Sequence, residues 1–299
     1  MGSHAQVVVV GGRPGLAEDA RRRVDQLEAR WSRFLPASEV SALNRRAGEP
    51  VPVSADTRLL VTRAVEGWRL SGGAFDPTVL GPVIRAGYDR TFDEVVARPA
   101  PGRSTLDLGA AGIVVDGPTV CIPPGTGFDP GGIGKGLAAD LVCDELMAAG
   151  AEGACVNLGG DVRVAGTGAD GEAWTVSVEH EWAEEPVAVL GLAAGAVATS
   201  TTLRRRWVIA GDGARHHLID PQTGLPSGTD VTSATVVAGA AWAAEVLAKA
   251  VLLRGSATAF DILGGTGAEG LVVDAGGRTA ATPGFAAYLG VARPRASVR

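Results

Sequence analysis

The sequence has almost no lysine. Among its 27 lysine and arginine residues only Lys135 and Lys249 are lysine, which leaves 25 arginines. Arginine presents a planar fork of donors, whereas lysine delivers a compact point charge that can approach a phosphate or take the place of a small cation. In a chain with this preference for arginine, the two lysines indicate positions where a point charge is required.

Cysteine is scarce, and long apolar runs are absent. The three cysteines, Cys121, Cys143 and Cys155, are odd in number, widely spaced and without a CxxC pair, which argues against a disulfide framework and against a structural zinc site. Residues 6–10 (QVVVV) are nearly all apolar, but glycines follow at once, and no stretch approaches the roughly 20 apolar residues of a membrane span or the pattern of a signal peptide. We therefore expect a soluble, unsecreted protein of the cytoplasm with no membrane partner.

Positive charge is also in deficit. The formal net charge is −6 and the isoelectric point is near 5.3, so the overall field opposes binding to nucleic acid or to anionic membranes. Any phosphate site therefore has to be local. With 299 residues, 46% of them hydrophobic, the chain can bury a large core, either as one large domain or as two tightly joined ones.

The order of the predicted elements indicates the fold class. Helices come first and short strands follow, with few regular alternations of strand and helix, which favours an α+β fold over a doubly wound parallel sheet. Ser38 and Ser54 are suitable N-caps for two of the helices. The predicted elements are a strand at 6–10, helices at 17–35, 38–43, 54–71, 131–149, 240–253 and 256–263, short strands between 154 and 237, and strand pairs around the turns at 116–117 and 275–277.

Two glycine-rich segments carry acidic, basic or aromatic residues. Residues 128–136 (FDPGGIGKG) place a carboxylate and Lys135 where a strand gives way to a helix, and backbone N–H groups at such a helix start bind anions. The segment lacks the spacing of a P-loop or of a dinucleotide-binding motif, so a plain glycine-rich helix start is the alternative. In residues 72–78 (GGAFDPT), Phe75 either stacks on a ligand ring or fills the core. Residues 156–161 (VNLGGD) are typical of an ordinary turn.

Two adjacent histidines and one charged pair are further candidates. Strand alternation would point His216 and His217 to opposite faces, so one can serve as a general base in a cleft while the other is structural. Glu245 and Lys249 are four residues apart on a predicted helix, a spacing that adds roughly 0.2–0.5 kcal/mol on an exposed helix. Their neighbours are nearly all apolar, and a buried charge pair without a function is costly. A functional role for the pair is therefore the favoured interpretation.

Seven segments along the chain form an ordered set. They are SEVSALN (38–44), GGAFDPTVLGPV (72–83), FDPGGIGKGLAAD (128–140), VNLGGDVRVAG (156–166), ATS (198–200), HHLIDPQTGLP (216–226) and AEVLAKAVLLRG (244–255). Each segment alone is a weak signal, but the seven in this order specifically resemble the ApbE family of flavin transferases, the FAD:protein FMN transferases. The resemblance implies a single compact α+β domain of T-fold-like type over residues 1–290, with helices packed on a mixed or antiparallel sheet, and a frayed tail at 291–299. It also implies that Met1–Ser3 are native rather than an expression scar.

The resemblance implies an activity and a set of site residues. Members of the family bind FAD and Mg²⁺ and transfer FMN to a Thr or Ser hydroxyl of an acceptor flavoprotein, releasing AMP; some hydrolyse FAD to FMN and AMP instead. An FAD-binding module with weak or lost catalysis is a further alternative. His217 is the implied base. The implied FAD-binding residues are Ala74, Phe75, Asp76, Asp129, Lys135, Leu218 and Ile219, and the implied metal ligands are the backbone carbonyl of Gly132 and two side chains of the late helix.

The late helix departs from the family pattern. Relatives read Ala-Asp-x-x-x-Thr, with Asp and Thr as metal ligands, whereas this chain has Glu245 and Lys249. A protonated lysine cannot ligate Mg²⁺, which requires nearly octahedral oxygen ligands. We therefore expect the Lys249 ammonium, balanced by Glu245, to take the place of the ion and to neutralise the FAD diphosphate, so that flavinylation is reduced or independent of metal. A second departure is ATSTTLRRRW, where relatives have Thr-Ser-Gly and where Arg204–Arg206 either contact phosphate or a partner or form a solvated run.

Overall fold

The structure is a computed structural model that describes residues 4–95, 108–209 and 213–290. Met1–Ser3 and the predicted frayed tail at 291–299 lie outside these ranges. The α-helices within them are α1 (Leu16–Trp31), α2 (Glu39–Arg45), α3 (Ala55–Leu70), α4 (Leu80–Arg85), α5 (Gly134–Ala148) and α6 (Ala241–Arg254). The strands are β1 (Ala5–Val10), β2 (Val51–Pro52), β3 (Val114–Asp116), β4 (Thr119–Cys121), β5 (Gly153–Leu158), β6 (Asp161–Gly166), β7 (Trp174–Val178), β8 (Ala188–Leu192), β9 (Gly195–Thr201), β10 (Arg206–Ile209), β11 (Gly213–His216), β12 (Ile219–Asp220), β13 (Leu225–Pro226), β14 (Val231–Ala238), β15 (Glu269–Asp274) and β16 (Thr279–Ala281).

A seven-stranded sheet forms the centre of the molecule. Its strand order is β1-β5-β6-β9-β14-β15-β16, and every neighbouring pair is antiparallel. Both faces of the sheet are covered, and β14 is therefore buried along nearly its whole length. Its sequence is accordingly a continuous run of small and apolar residues rather than an alternation. The α+β class predicted from the sequence is confirmed.

Helices α5 and α6 pack side by side on one face of the sheet. Neither helix has a distinct polar face, because the sheet covers one side and α1 and α3 cover others, and a helix that is apolar all round is a buried helix. The other face of the sheet carries a smaller core beneath the β7–β8 hairpin, with Leu190 and Phe285 fully enclosed. Asp140 of α5 and Glu245 of α6, which are buried, are thus held between layers.

Glycine permits the close crossing of α5 and α6. A Cβ on Gly136 would lie 2.5 Å from the carbonyl carbon of Ala241, so only glycine lets the start of α6 come so near. Asp140 of α5 then caps α6: its two carboxylate oxygens accept the N–H groups of Ala241 at 2.8 Å and Trp242 at 2.9 Å. The position of α6 along α5 is therefore fixed at its first turn.

Two predicted helices differ from those observed. The first ends at Trp31 instead of residue 35, because Pro36 disfavours the helical conformation in the residue before it and Ser32 is already extended. Residues 256–263 form turns and one 3₁₀ turn, Asp261–Leu263, instead of a helix. Ser256 does not cap a helix there, since its backbone N–H and its hydroxyl both bind Asp230. No helix in the described ranges is both long and apolar enough to cross a membrane.

Candidate active site

A cleft of about 920 Å³, including the part open to solvent, lies where the end of α1, the start of α5 and the middle of α6 meet the β11–β12 segment. Its lining combines apolar and aromatic side chains with a few charged groups, which is typical of small-molecule sites. The predicted site residues that line it are Ala74, Asp76, Asp129, Lys135, His217, Ile219, Glu245 and Lys249. Residues from four separate sequence segments are therefore brought together in one place.

Three other predicted site residues do not line the cleft. Phe75 and Leu218 are each 1% exposed and belong to the main hydrophobic core, so their side chains are not part of the cleft wall. Leu218 lies in the short connection between β11 and β12, and its neighbours His217 and Ile219 line the cleft instead. Gly132 is not among the lining residues, although Gly131 and Gly134 are.

Lys135 lies in the first turn of α5 and is held by two buried carboxylates. Its Nζ donates to Asp161 at the start of β6 and to Glu245 Oε1 of α6, the latter at 2.5 Å. Glu245 Oε2 accepts the backbone N–H of Gly136 at 2.8 Å. Burial opposes the charge of Lys135, but the two carboxylates outweigh it and raise the pKa of Lys135 above its ordinary value. Burial, followed by the nearby Glu245 charge, raises the pKa of Asp161 against the opposing effect of Lys135.

Lys249 has different surroundings. Its Nζ donates to the backbone carbonyl of Gly131 at 2.5 Å and lies 5.6 Å from the ring centroid of Phe75. The predicted ion pair with Glu245 is not formed, because both oxygens of Glu245 are engaged by Lys135 and Gly136. Burial lowers the pKa of Lys249, although the more distant charges of Asp129 and Glu245 partly oppose the shift.

His216 and His217 separate as the strand alternation predicts. His216 Nε2 donates to the Ser227 carbonyl at 3.0 Å, and its Nδ1 accepts the backbone N–H of Leu218 at 3.3 Å, which is a structural role. His217 faces the cleft, and its buried Nδ1 has no hydrogen-bond partner among the described residues. Burial, followed by the positive charges of Arg205 and Lys249, lowers the pKa of His217 well below 6.5. His217 is therefore a neutral imidazole near pH 7.

Asp129 and Asp76 shape the backbone around the cleft. Asp129 accepts the N–H of Gly131 at 2.8 Å and lies 3.6 Å from the Arg33 guanidinium, so it orients the carbonyl that holds Lys249. Asp76 accepts the backbone N–H of Thr78 at 2.7 Å and its hydroxyl at 2.5 Å. Burial raises the pKa of Asp76. Both carboxylates thus act mainly on the loops that form the cleft wall.

Sequence reasoning missed one wall of the cleft. The Arg33 guanidinium lies 4.1 Å from the ring centroid of Phe34 and 4.7 Å from that of Tyr88, and it donates to the Tyr88 carbonyl at 3.0 Å. Trp31 also lines the cleft, and its indole N–H has no partner within the described part of the chain. The sequence signal was weak, since residues 31–34 fell within the helix predicted for residues 17–35.

Arg205 is the second missed residue. It lines the cleft and has a φ of 48°, a conformation that is uncommon in residues other than glycine and that tends to occur at functional sites. The unusual run Arg204–Arg206 was its sequence signal. Four cationic residues line the cleft, namely Arg33, Lys135, Arg205 and Lys249, against three carboxylates, Asp76, Asp129 and Glu245. The cleft can therefore accept an anionic group even though the whole chain is acidic.

The residues of the cleft do not fit a divalent metal ion. The carbonyl of Gly131 is occupied by the Lys249 ammonium, and a Cβ on Gly132 would lie 2.6 Å from Lys249 Cε, so the lysine stem fills the space beside these glycines. The described residues contain no group of three or more His, Cys, Asp or Glu side chains that could hold a metal. The metal site that the family resemblance implies is thus not reproduced here.

The structure thus combines an antiparallel α+β core with a cleft that is lined by four cationic side chains and by His217, whose Nδ1 has no partner among the described residues. The chain belongs to the ApbE family, whose model matches residues 1–282. This result confirms the resemblance drawn from the seven sequence segments. It also shows that the family assignment does not depend on the two departing positions of α6.

Named relatives support the assignment. The chain is 29% identical to an FAD:protein FMN transferase of Vibrio cholerae, over 81% of this chain and 76% of the relative. It is 33% identical to an FAD:protein FMN transferase of Treponema pallidum, over 73% of this chain and 65% of the relative. Among solved structures, the ApbE protein of Thermotoga maritima is similar with a TM-score of 0.86 and 27% identity over 96% of both chains. The flavin transferase ApbE of Vibrio cholerae has a TM-score of 0.82 and 26% identity, over 97% of this chain and 96% of its own.

Proposed function

We propose that this protein transfers FMN from FAD to a Thr or Ser hydroxyl of an acceptor protein and releases AMP. The curated relatives that match over most of the chain are named FAD:protein FMN transferases. The observation that carries the proposal is His217, a neutral imidazole whose Nδ1 has no partner among the described residues and which lies in a cleft lined by four cationic side chains.

The cleft offers separate partners for the parts of FAD. The diphosphate carries two negative charges, and Lys249 and Arg205 are the cations that lie on the same side of the cleft as His217. The unpartnered indole N–H of Trp31 supplies a donor for an acceptor atom of the flavin or adenine ring. A buried polar group that lacks a partner destabilises the free protein by about 1–3 kcal/mol, so a ligand that satisfies Trp31 and His217 gains affinity.

His217 performs the proton transfer in the proposed reaction. Its free Nδ1 accepts the proton of the acceptor hydroxyl while the hydroxyl oxygen bonds to the FMN phosphorus. The bond between that phosphorus and the bridging oxygen breaks, and AMP leaves with the electron pair. One FAD and one hydroxyl thus yield one FMN phosphodiester, one AMP and one proton, which His217 returns to solvent. Fixed positive charge beside the diphosphate stabilises the developing negative charge.

A transfer assay tests the proposed function. The full-length protein is mixed with FAD and a peptide bearing a single Thr, with a Thr→Val peptide as the control, and both AMP and covalently attached flavin are quantified. We expect equal amounts of AMP and attached FMN, and no attachment to the control peptide. Free FMN without attachment would identify a pyrophosphatase. FAD binding without AMP release under any metal condition would identify a binding module, and either result would overturn the proposal.

The location of the reaction is a separate proposal. Cys121, Cys143 and Cys155 are all free thiols, which is consistent with a reducing compartment. We place the protein in the cytoplasm on this basis. Fractionation of the producing cells, followed by immunodetection, would contradict this placement if the protein were recovered outside the cytoplasmic fraction.

A further inference from the structure

The ammonium group of Lys249 lies among groups of the kind that bind cations in proteins. Its ammonium donates to the carbonyl of Gly131 at 2.5 Å and lies 5.6 Å from the Phe75 ring centroid, and carbonyl oxygens and aromatic faces both attract positive charge. The stem lies against Gly132, whose φ of 119° and missing Cβ leave the necessary room. The chain thus holds a single positive charge at a fixed position in the cleft.

Three of the carboxylate oxygens that could bind a second cation there are already engaged. Both oxygens of Glu245 are used, by Lys135 and by the N–H of Gly136, and Asp129 Oδ1 binds the N–H of Gly131 and faces Arg33. A divalent ion with about six oxygen ligands would have to break these contacts. It would also lie close to the Lys249 ammonium, and two positive charges at short range repel each other strongly in a partly buried site.

The charge of Lys249 is available to an anion that enters the cleft. Among the described ion pairs, Lys135 has two carboxylate partners whereas Lys249 has none. Its side chain is only partly buried and lines the cleft. Burial without a carboxylate partner lowers the pKa of Lys249. The negative charge of an incoming phosphate group would compensate for this unfavourable burial of the ammonium.

We propose that the Lys249 ammonium replaces the divalent cation in this protein and binds the diphosphate of FAD directly, so that FAD binding is independent of Mg²⁺. This inference rests on the proposed function, because it takes FAD as the ligand of the cleft. Lys249 then supplies the positive charge that a bound divalent cation would otherwise contribute to catalysis. The second lysine, Lys135, serves instead to hold α5, β6 and α6 together.

The test is a titration of the full-length protein with FAD, followed by quenching of flavin fluorescence, once with EDTA and once with MgCl₂. We expect the same dissociation constant in both buffers. In Lys249→Met we expect an affinity about 10- to 100-fold weaker, since a charge-assisted contact is lost. Arg254→Met is the matched control, because it removes one positive charge from the exposed end of the same helix, outside the cleft.

The outcomes separate the inference from the proposed function. If the wild-type protein requires Mg²⁺ to bind FAD, the inference is overturned while the proposed function stands. If Lys249→Met binds FAD as tightly as Arg254→Met does, the inference is likewise overturned. If FAD binds in neither buffer, the proposed function fails as well. The wild-type comparison stays decisive even if Lys249→Met does not fold, and a thermal unfolding curve of the variant shows whether it does.

Discussion

The two lysines lie in two parts of one cleft that differ in their electrostatics. On the carboxylate-bound side, which comprises Lys135, Asp161 and Glu245, every charge has a partner within the protein. On the open side, which comprises Lys249, Arg205 and His217, Lys249 binds only a carbonyl, and His217 Nδ1 has no partner among the described residues. Accordingly, the pKa of Lys135 is raised, whereas the pKa values of Lys249 and His217 are lowered.

The carboxylate-bound side is therefore expected to contribute to folding stability, and the open side to binding and catalysis. A buried charge that is fully paired contributes to the fold as long as both partners remain. A charge or a lone pair that is buried without a partner is unfavourable until a ligand arrives. Substitutions on the carboxylate-bound side should therefore change the free energy of unfolding, and substitutions on the open side should change binding and catalysis.

The largest effect is expected on the open side, from His217→Ala. Without the base, the transfer rate should fall by about 10²- to 10⁴-fold, a larger change than the one expected in FAD affinity. Single-turnover measurement of AMP release checks this expectation. His216→Ala is the matched control: it loses the contacts with the Ser227 carbonyl and the Leu218 N–H, about 1 kcal/mol of stability for each, and keeps the transfer rate. Equal rates in the two variants would contradict the assignment of the base.

The next largest effect is expected on the carboxylate-bound side. Lys135→Met leaves Asp161 and Glu245 buried without their cation, and removing one partner of a buried ion pair lowers stability by about 3–5 kcal/mol. Lys249→Met leaves no carboxylate unpaired and should change stability by less than about 1 kcal/mol. Urea unfolding of both variants measures the contrast. Equal destabilisation by the two substitutions would remove the distinction between the two sides.

A smaller effect is expected at the first turn of α6. This helix carries Glu245 of the carboxylate-bound side and Lys249 of the open side. Asp140→Ala removes the cap of Ala241 and Trp242, and the loss of an N-cap lowers stability by about 1 kcal/mol. Asp140→Asn retains one acceptor oxygen and should lose less. Thermal unfolding of the two variants tests this order, and a larger loss in the Asn variant would contradict it.

The smallest effect is expected in the pH dependence of the rate. A histidine with its ordinary pKa of 6.5 would be half protonated at pH 6.5, but burial lowers the pKa of His217 well below that value. The neutral, proton-accepting form therefore persists at pH 6.5, and the rate should decline only as the pH falls further. A rate profile that is already halved at pH 6.5 would show that His217 is not held neutral.

Local features of the fold were predictable from the sequence. Ser38 and Ser54 cap α2 and α3, accepting the N–H groups of Ser41 at 3.0 Å and Thr57 at 3.3 Å. The opposite directions of His216 and His217 followed from strand alternation. These features depend on residues within a few positions of one another, where the backbone geometry is fixed by the secondary structure.

Long-range partners were not predictable. Glu245 was expected to balance Lys249, one helical turn away, but it binds Lys135, 110 residues distant. Asp161 was interpreted as part of an ordinary turn, yet it is the other partner of Lys135. Arg33 and Arg205 reach the cleft from distant segments. The partner that Lys135 or Glu245 binds depends on how α5 and α6 cross. This crossing cannot be predicted from the sequence pattern of either helix alone.

In the proposed reaction, the open side of the cleft performs the transfer with the positive charge of Lys249 in place of a metal ion. The most direct measurement is covalent FMN attachment to a Thr-containing acceptor peptide in the presence of EDTA, compared with the same reaction in MgCl₂. We expect FMN attachment and AMP release at similar rates in both buffers. A reaction that stops in EDTA and resumes on addition of Mg²⁺ would contradict it.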